Sequence, residues 1–221
     1  MTKCIENAIV IGATGLVGRE LIRQLSQNET CKNITAVVRR RDEELTRLAK
    51  VQQLVLEDFL LLTKEDVLDY THAFSSLGTT IKKAGSKDCF YAIDFKINAH
   101  LAELLEHSET GLIIVSATGA NPNSLFFYNR VKGELEYYLK SLKLAQLAIL
   151  RPSLLLGDRD ESRPAEQATQ KLYSRFSHLV PDTFKLKPVT AAQVAHTMVE
   201  AAQTQTEKFE IYDNLRILKM K

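Results

Sequence analysis

Residues 9–20 read IVIGATGLVGRE, an apolar run broken by glycines at 12, 15 and 18. Glycine marks places where a backbone turns sharply or where another group must approach it closely. Upstream, AIVI (8–11) predicts a strand. Downstream, GRELIRQL continues a helix whose apolar residues are Leu16, Val17, Leu21, Ile22 and Leu25. Strand, glycine turn and helix in that order put unpaired N–H groups and the positive end of a helix dipole where a pyrophosphate can rest against bare backbone. The spacing is G-x-x-G-x-x-G, where the standard dinucleotide fingerprint is G-x-G-x-x-G. The stretch predicts a bound dinucleotide, with a ligand-free packing turn as the alternative.

Outward from this turn, short apolar runs alternate with helical patterns: AIVI (8–11), ITAVV (34–38), LVL (54–56), HAFSSL (72–77), LIIVS (112–116) and LAILR (147–151). Each parallel connection needs a crossover, so the alternation predicts a doubly wound, Rossmann-like α/β parallel sheet covered on both faces. At 221 residues and 45% apolar composition, the chain buries one core, and residues 1–221 are expected to form a single domain. After Arg151 the rhythm changes. Residues from about 157 to 188 are expected to form loops and a helix on the substrate side, a small C-terminal extension within the same domain. The following VTAAQVAHTMVEAA reads as a helix, with Thr190 and Gln193 at capping-box spacing and Val189 and Val194 placed as a hydrophobic staple.

A formal charge of +2 points to neither nucleic acid nor an anionic membrane. Cys4, Cys31 and Cys89 are odd in number and form no C-x-x-C pair, which suits reduced thiols in a cytosol-like compartment. No apolar stretch approaches a membrane span, and MTKCIENAIV lacks the apolar core of a signal peptide. The expectation is a soluble cytoplasmic protein. His72, His100, His107, His178 and His196 show no metal-ligand spacing, so no metal is predicted.

The second strand ends VVRRR, with no acidic residue to bond an unphosphorylated ribose. Guanidinium groups bind phosphate through paired, charge-assisted hydrogen bonds, so Arg39 and Arg40 are assigned to a 2′-phosphate, Arg41 to solvent, and the cofactor is read as NADP(H). The alternative is a solvated run neutralised by DEE at 42–44. SSLGTT (75–80) places Gly78 beyond the fourth strand, and IIVSATGAN (113–121) presents Ser116 beyond the fifth; either is also ordinary turn chemistry. In FFYNRVKGELEYYL (126–139), Tyr128 and Lys132 share a helix face at i and i+4. The Lys132 ammonium favours tyrosinate, making Tyr128 a proton donor to a developing alkoxide while the Ser116 hydroxyl holds the same oxygen. A tyrosine beside a lysine on a surface is the commoner origin of Y-x-x-x-K. Its place after Ser116, downstream of the glycine turn, favours chemistry.

The combination of GATGLVG, Ser116 and YNRVK resembles the short-chain dehydrogenase/reductase superfamily. Through VVRRR, SSLGTT, YNRVKGELE, LRPSLLLGDRDESRPAE and VTAAQVA it resembles more narrowly the atypical branch that contains the Tat-interacting tumour-suppressor oxidoreductase and its bacterial relatives. The resemblance implies cofactor contacts from Thr14, Gly15, Leu16, Val17, Arg39, Arg40, Leu77 and Gly78, alongside Gly12 and Gly18 of the turn. It assigns Tyr128 and Lys132 as the active pair, and places Leu155 and Arg163 near the nicotinamide. Many members carry an asparagine in the fourth helix; IDFKINAH (93–100) offers Asp94 and Asn98 in uncertain register, and neither is assigned. DRDESRPAE reads equally as a substrate rim or as a helix start with Ser162 as cap and Pro164 in the first turn. Two functions follow: a reductase of a small carbonyl substrate, or an NADPH-binding regulator of a protein partner. Oligomeric state is left open.

Overall fold

Each short apolar run carries apolar side chains at successive positions, as strands buried on both faces require. In the computed structural model, which describes residues 4–156 and 186–220, the strands are β1 (Asn7–Ile11), β2 (Asn33–Val38), β3 (Val51–Val55), β4 (His72–Ser75), β5 (Gly111–Val115), β6 (Gln146–Arg151), β7 (Leu155–Leu156), β8 (Val189–Thr190) and β9 (Phe209–Asp213). Seven of them form one all-parallel sheet in the order β3-β2-β1-β4-β5-β6-β9, while β7 and β8 pair separately. The helices are α1 (Leu16–Gln27), α2 (Glu43–Thr46), α3 (Ile81–Ala84), α4 (Lys87–Tyr91), α5 (Ile97–Leu104), α6 (Phe127–Ser141), α7 (Ala191–Thr204) and α8 (Asn214–Lys219), with a π turn, Ala92–Lys96, joining α4 to α5.

The two-residue period of a strand sorts side chains into two cores. Ala8 and Val10 of β1 face Leu21 and Leu25 of α1 and Val194 and Met198 of α7; Ile9 and Ile11 face the opposite layer, with Leu101 of α5 and Leu135 and Leu139 of α6. Each such fully buried Leu or Ile contributes roughly 1.5–3 kcal/mol of transfer free energy. The expected doubly wound Rossmann-like domain is therefore present. Five predicted strands are found in place, and the third lies earlier, at 51–55. Strand β9 was not anticipated: FEIYD is short and mixed, yet Phe209 and Ile211 pack into one layer and Tyr212 into the other.

The capping box of α7 is formed, with Gln193 N–H donating to Thr190 Oγ1 (3.1 Å) and Thr190 N–H to Gln193 Oε1 (3.0 Å). Val189 and Val194 are both fully buried in the layer shared with α1. Sheet order reverses at β1, which lies between β2 and β4, so the crossovers diverge there and leave a crevice at the carboxyl ends of the strands. Of the expected substrate-side segment, residues 157–185 lie outside the described residues, and with them Ser162, Arg163, Pro164 and His178.

Candidate functional site

The glycine turn occupies that crevice. Gly12 has φ +78°, which glycine adopts without strain, and a Cβ there would stand 2.5 Å from Leu77 N on the exit of β4. The missing side chain is thus what lets the turn and the β4 exit close on one another. A Cβ on Gly18 would run into the Gly12 carbonyl oxygen, so this glycine serves the contact between α1 and the turn. The N-terminus of α1 has no side-chain cap and no acidic residue in its first turn. Thr14 and Gly15 are exposed, Leu16 is half-buried, and Val17 and Gly18 are buried. Exposed backbone at an uncapped helix N-terminus fits a pyrophosphate.

Arg39, Arg40 and Arg41 leave the end of β2 exposed, and none pairs with an acidic side chain among the described residues. The neutralising role considered for residues 42–44 goes elsewhere. Arg19 of α1 binds Asp42 at 2.7 Å and Glu44 at 2.8 Å. Burial pushes the Asp42 carboxyl up, but hydrogen bonds from Arg19 and from Leu45 N–H outweigh it and hold the group below the ordinary carboxylate range. Asp42 is therefore an anion already partnered, and Arg39 and Arg40 stay available to a phosphate.

Tyr128 and Lys132 lie on one face of α6, as expected. Tyr128 is half-buried, its ring against Phe90 with centroids 5.5 Å apart. Lys132 is 2% exposed. Its ammonium contacts the Asp94 carboxylate at 2.8 Å, and Asp94 Oδ2 accepts Thr79 N–H at 2.9 Å. Asn98 donates its side-chain amide to the Asp94 carbonyl (3.0 Å) and accepts a short hydrogen bond from Ser75. Gly78 covers this pair: a Cβ there would lie 3.3 Å from Asp94 Oδ1 and 3.5 Å from Lys132 Nζ. Asp94 and Asn98, left unassigned from the sequence, are thus central. Four residues in a regular helix overshoot one turn by about 40°, and the wider π turn at 92–96 offsets that drift. Phe90, Asp94 and Asn98 consequently line up toward α6 and β4.

Ser116 and Tyr128 are not brought into one cleft. The Ser116 hydroxyl donates to the buried Glu136 carboxylate at 2.6 Å, and Glu136 is also gripped by Arg151 from the end of β6. That carboxylate lifts the Arg151 guanidinium above its ordinary range. Tyr128 instead opens on a cleft of about 350 Å³ with Ala117, Thr118, Pro152, Ser153, Leu154 and Leu186. Thr118 is half-buried there, its hydroxyl donating to the Arg151 carbonyl at 2.9 Å. Leu155, assigned to the nicotinamide end, sits in the two-residue ladder beside the cleft wall. The loop over this wall rests directly on α6: Asn121 N–H donates to the Asn129 carbonyl (3.0 Å), and a Cβ on Gly133 would collide with the Asn121–Pro122 backbone. Sequence reasoning missed Thr118, Glu136 and Arg151; the recurrence of Tyr128, Lys132 and Glu136 at i, i+4, i+8 was the available signal.

Comparison with known proteins agrees with this geometry. The model of the semialdehyde dehydrogenase NAD-binding domain matches residues 7–92, which hold the glycine turn and the first four strands. Protein FMP52-1, mitochondrial, of Scheffersomyces stipitis is 35% identical over 205 residues, covering 91% of this chain and 90% of the relative. Protein FMP52, mitochondrial, of Candida glabrata is 34% identical over 211 residues, covering 92% and 88%. The chain belongs to the FMP52 family. Among solved structures it is similar to the UDP-glucuronic acid 4-epimerase of Bacillus cereus in complex with NAD (TM-score 0.70, 17% identity, 94% of this chain and 77% of that one). WbmH of Bordetella bronchiseptica in complex with NAD+ gives TM-score 0.72 at 13% identity, covering 94% and 75%. The fold is the Rossmann-like α/β fold of these NAD-bound proteins, as the sequence motifs suggested.

One expectation is corrected. The cytoplasmic placement is overturned by the FMP52 relatives, which are named mitochondrial proteins. The three cysteines are free, Cys31 buried and Cys4 and Cys89 exposed, and free thiols do not distinguish one reducing compartment from another. Among the described residues no helix is long and apolar enough to cross a membrane.

Proposed function

We propose that this protein is an NADP(H)-dependent reductase of small, uncharged carbonyl compounds, working in mitochondria with its FMP52 relatives. The observation that carries the reading is Tyr128, opening on a cleft at the carboxyl ends of the strands, one helical turn from the buried Lys132. The residues that would hold the cofactor are Gly12, Thr14, Gly15, Leu16 and Val17 at the turn, Leu77 and Gly78 on the β4 exit, and Arg39 and Arg40 at the 2′-phosphate. Lys132 would hold the nicotinamide ribose, and Leu155 stands near the nicotinamide end. When bound, the cofactor supplies a hydride to the carbonyl carbon. Tyr128 gives its hydroxyl proton to the carbonyl oxygen, completing the alcohol, and the Lys132 ammonium stabilises the phenolate left behind. Thr118, the hydroxyl that shares the cleft with Tyr128, steadies the same oxygen, and Ser116 serves by holding Glu136. Ala117, Pro152 and Leu154 give the cleft an apolar wall. No charged side chain lines the cleft among the described residues, and burying an unpaired charge there would be costly, which favours an uncharged substrate.

Fluorescence titration tests the cofactor half of the proposal. NADPH is expected to bind ~10-fold or more tightly than NADH, on the strength of charge-assisted bonds to phosphate, and Arg39→Ala/Arg40→Ala is expected to erase the difference. Equal affinity in the native chain refutes the NADP preference, and no binding of either refutes the reading. Tyr128→Phe is expected to bind NADPH normally and to lose ~10²–10⁴-fold in reduction of 4-nitrobenzaldehyde, the loss of a general acid.

A further inference from the structure

Lys132 has to do two things at once in the proposed reaction, and something must hold its flexible four-carbon side chain in place while it does them. The described residues supply that support from one direction. Asp94 is fully buried, and its Oδ1 stands 2.8 Å from Lys132 Nζ. Its other oxygen is fixed by Thr79 N–H, its carbonyl by the Asn98 amide, and Asn98 in turn by Ser75. Ser75 Oγ also receives Leu77 N–H at 3.4 Å, and Ser76 donates its hydroxyl to the Gly12 carbonyl at 3.1 Å. Hydrogen bonds from the adjacent Ser75 and Ser76 thus join the β4 exit both to the glycine turn and, through Asn98, to Asp94, and an ion pair carries the link on to the lysine on α6. Asp94 Oδ2 accepts the Thr79 N–H, which leaves the buried Oδ1 with the Lys132 ammonium alone as its counter-charge, and the whole arrangement sits on a π turn.

We propose that Asp94 is the positioning residue of this site: its buried carboxylate, clamped by Thr79 and Asn98, fixes the Lys132 ammonium and ties its placement to the backbone that would carry the cofactor. The inference rests on the function proposed above, in which Lys132 meets both tyrosine and ribose. Asp94 touches neither substrate nor cofactor in this scheme; it acts through Lys132. A buried ion pair is weak evidence for stability, since an apolar pair often serves as well, so its value here lies in placement.

The test is a double-mutant cycle on the full chain with Asp94→Asn, Lys132→Met and the double variant, read by NADPH titration and by kcat and KM for 4-nitrobenzaldehyde. Asp94→Asn is expected to lower kcat by roughly 10²-fold, the scale of a misplaced catalytic group, with KM little changed, and to weaken NADPH binding. In the Lys132→Met background the same change is expected to do almost nothing, because the group it positions has gone. An equal loss in both backgrounds, or no loss in either, overturns the proposal. Asp94→Glu, which keeps the charge and moves it by one methylene, is expected to fall between native and Asp94→Asn, and it carries the test if Asp94→Asn does not fold. Failure of the native chain to bind NADPH would defeat the proposed function separately. Crystals of native and Asp94→Asn protein would then decide the role of Asp94: a Lys132 ammonium that stays in place without the carboxylate overturns it.

Discussion

Ser116 and Thr118 leave the same strand two residues apart, and their hydroxyls have opposite fates. Ser116 is 5% exposed and donates a hydrogen bond to a carboxylate, a charge-assisted bond worth about 1.5–3 kcal/mol. Thr118 donates a hydrogen bond to a neutral carbonyl and stands in the cleft with Tyr128. Exchanging the weaker bond for a substrate oxygen costs less. Thr118→Val, which removes only the hydroxyl, is expected to lower kcat/KM for 4-nitrobenzaldehyde by ~10²-fold, the scale of a lost oxyanion donor. Ser116→Ala is expected to keep most of its turnover, because Arg151 still satisfies Glu136, and to show its effect in urea denaturation instead. A larger kinetic loss from Ser116→Ala would return the role to that serine. At this scale the sequence was legible where spacing alone decides. Tyr128 and Lys132 share a face because helices repeat every 3.6 residues. Asp94 was not legible, because its partner is 38 positions away on another helix and the π turn that aims it leaves no simple spacing.

Among the elements, α6 carries the heaviest double duty. One face presents Tyr128, Lys132 and Glu136, and the next buries Leu135 and Leu139 against the sheet. Leu135 is fully buried, and Leu135→Ala is expected to cost roughly 2–5 kcal/mol in urea denaturation, the transfer loss plus the cavity left behind. A cost below ~1 kcal/mol would mean that the helix does not seat on the sheet as described. Gly133, which lets the Asn121–Pro122 backbone rest on the same helix, explains why YNRVKG needs its final glycine. The alternation of strand and helix was readable from apolar runs and punctuating glycines. Strand β9 was not, since its pattern matches an edge loop until β6 is present to pair with it.

For the whole molecule, Tyr212 on β9 links stability to pH. It is fully buried, and burial pushes its phenol up to about 12. In the unfolded chain the same group titrates near ~10. Below ~10 both states hold the proton and the contribution is intact; above it the unfolded chain loses its proton first, so stability falls as pH climbs toward 12. The expected loss between pH 9 and pH 11 is about 1.3 kcal/mol, which Tyr212→Phe should remove from the difference between stabilities measured in urea at those two pH values. An unchanged slope in the variant would assign the alkaline loss to other groups. The doubly wound architecture itself follows from the first crossover: once the glycine turn fixes the step from β1 to α1, strand order places the crevice.

The π turn between α4 and α5 adds one consequence, on the timescale of evolution. Dropping a single residue from Ala92–Lys96 would leave an ordinary helix with the same propensity, the same sheet and the same glycine turn. Phe90 beneath Tyr128 and Asn98 beside Ser75 would no longer be satisfied together. On the proposed function, such a lineage would keep the fold and the glycine turn but lose the alignment of Tyr128 and Lys132, so a single codon would separate a working reductase from an idle relative.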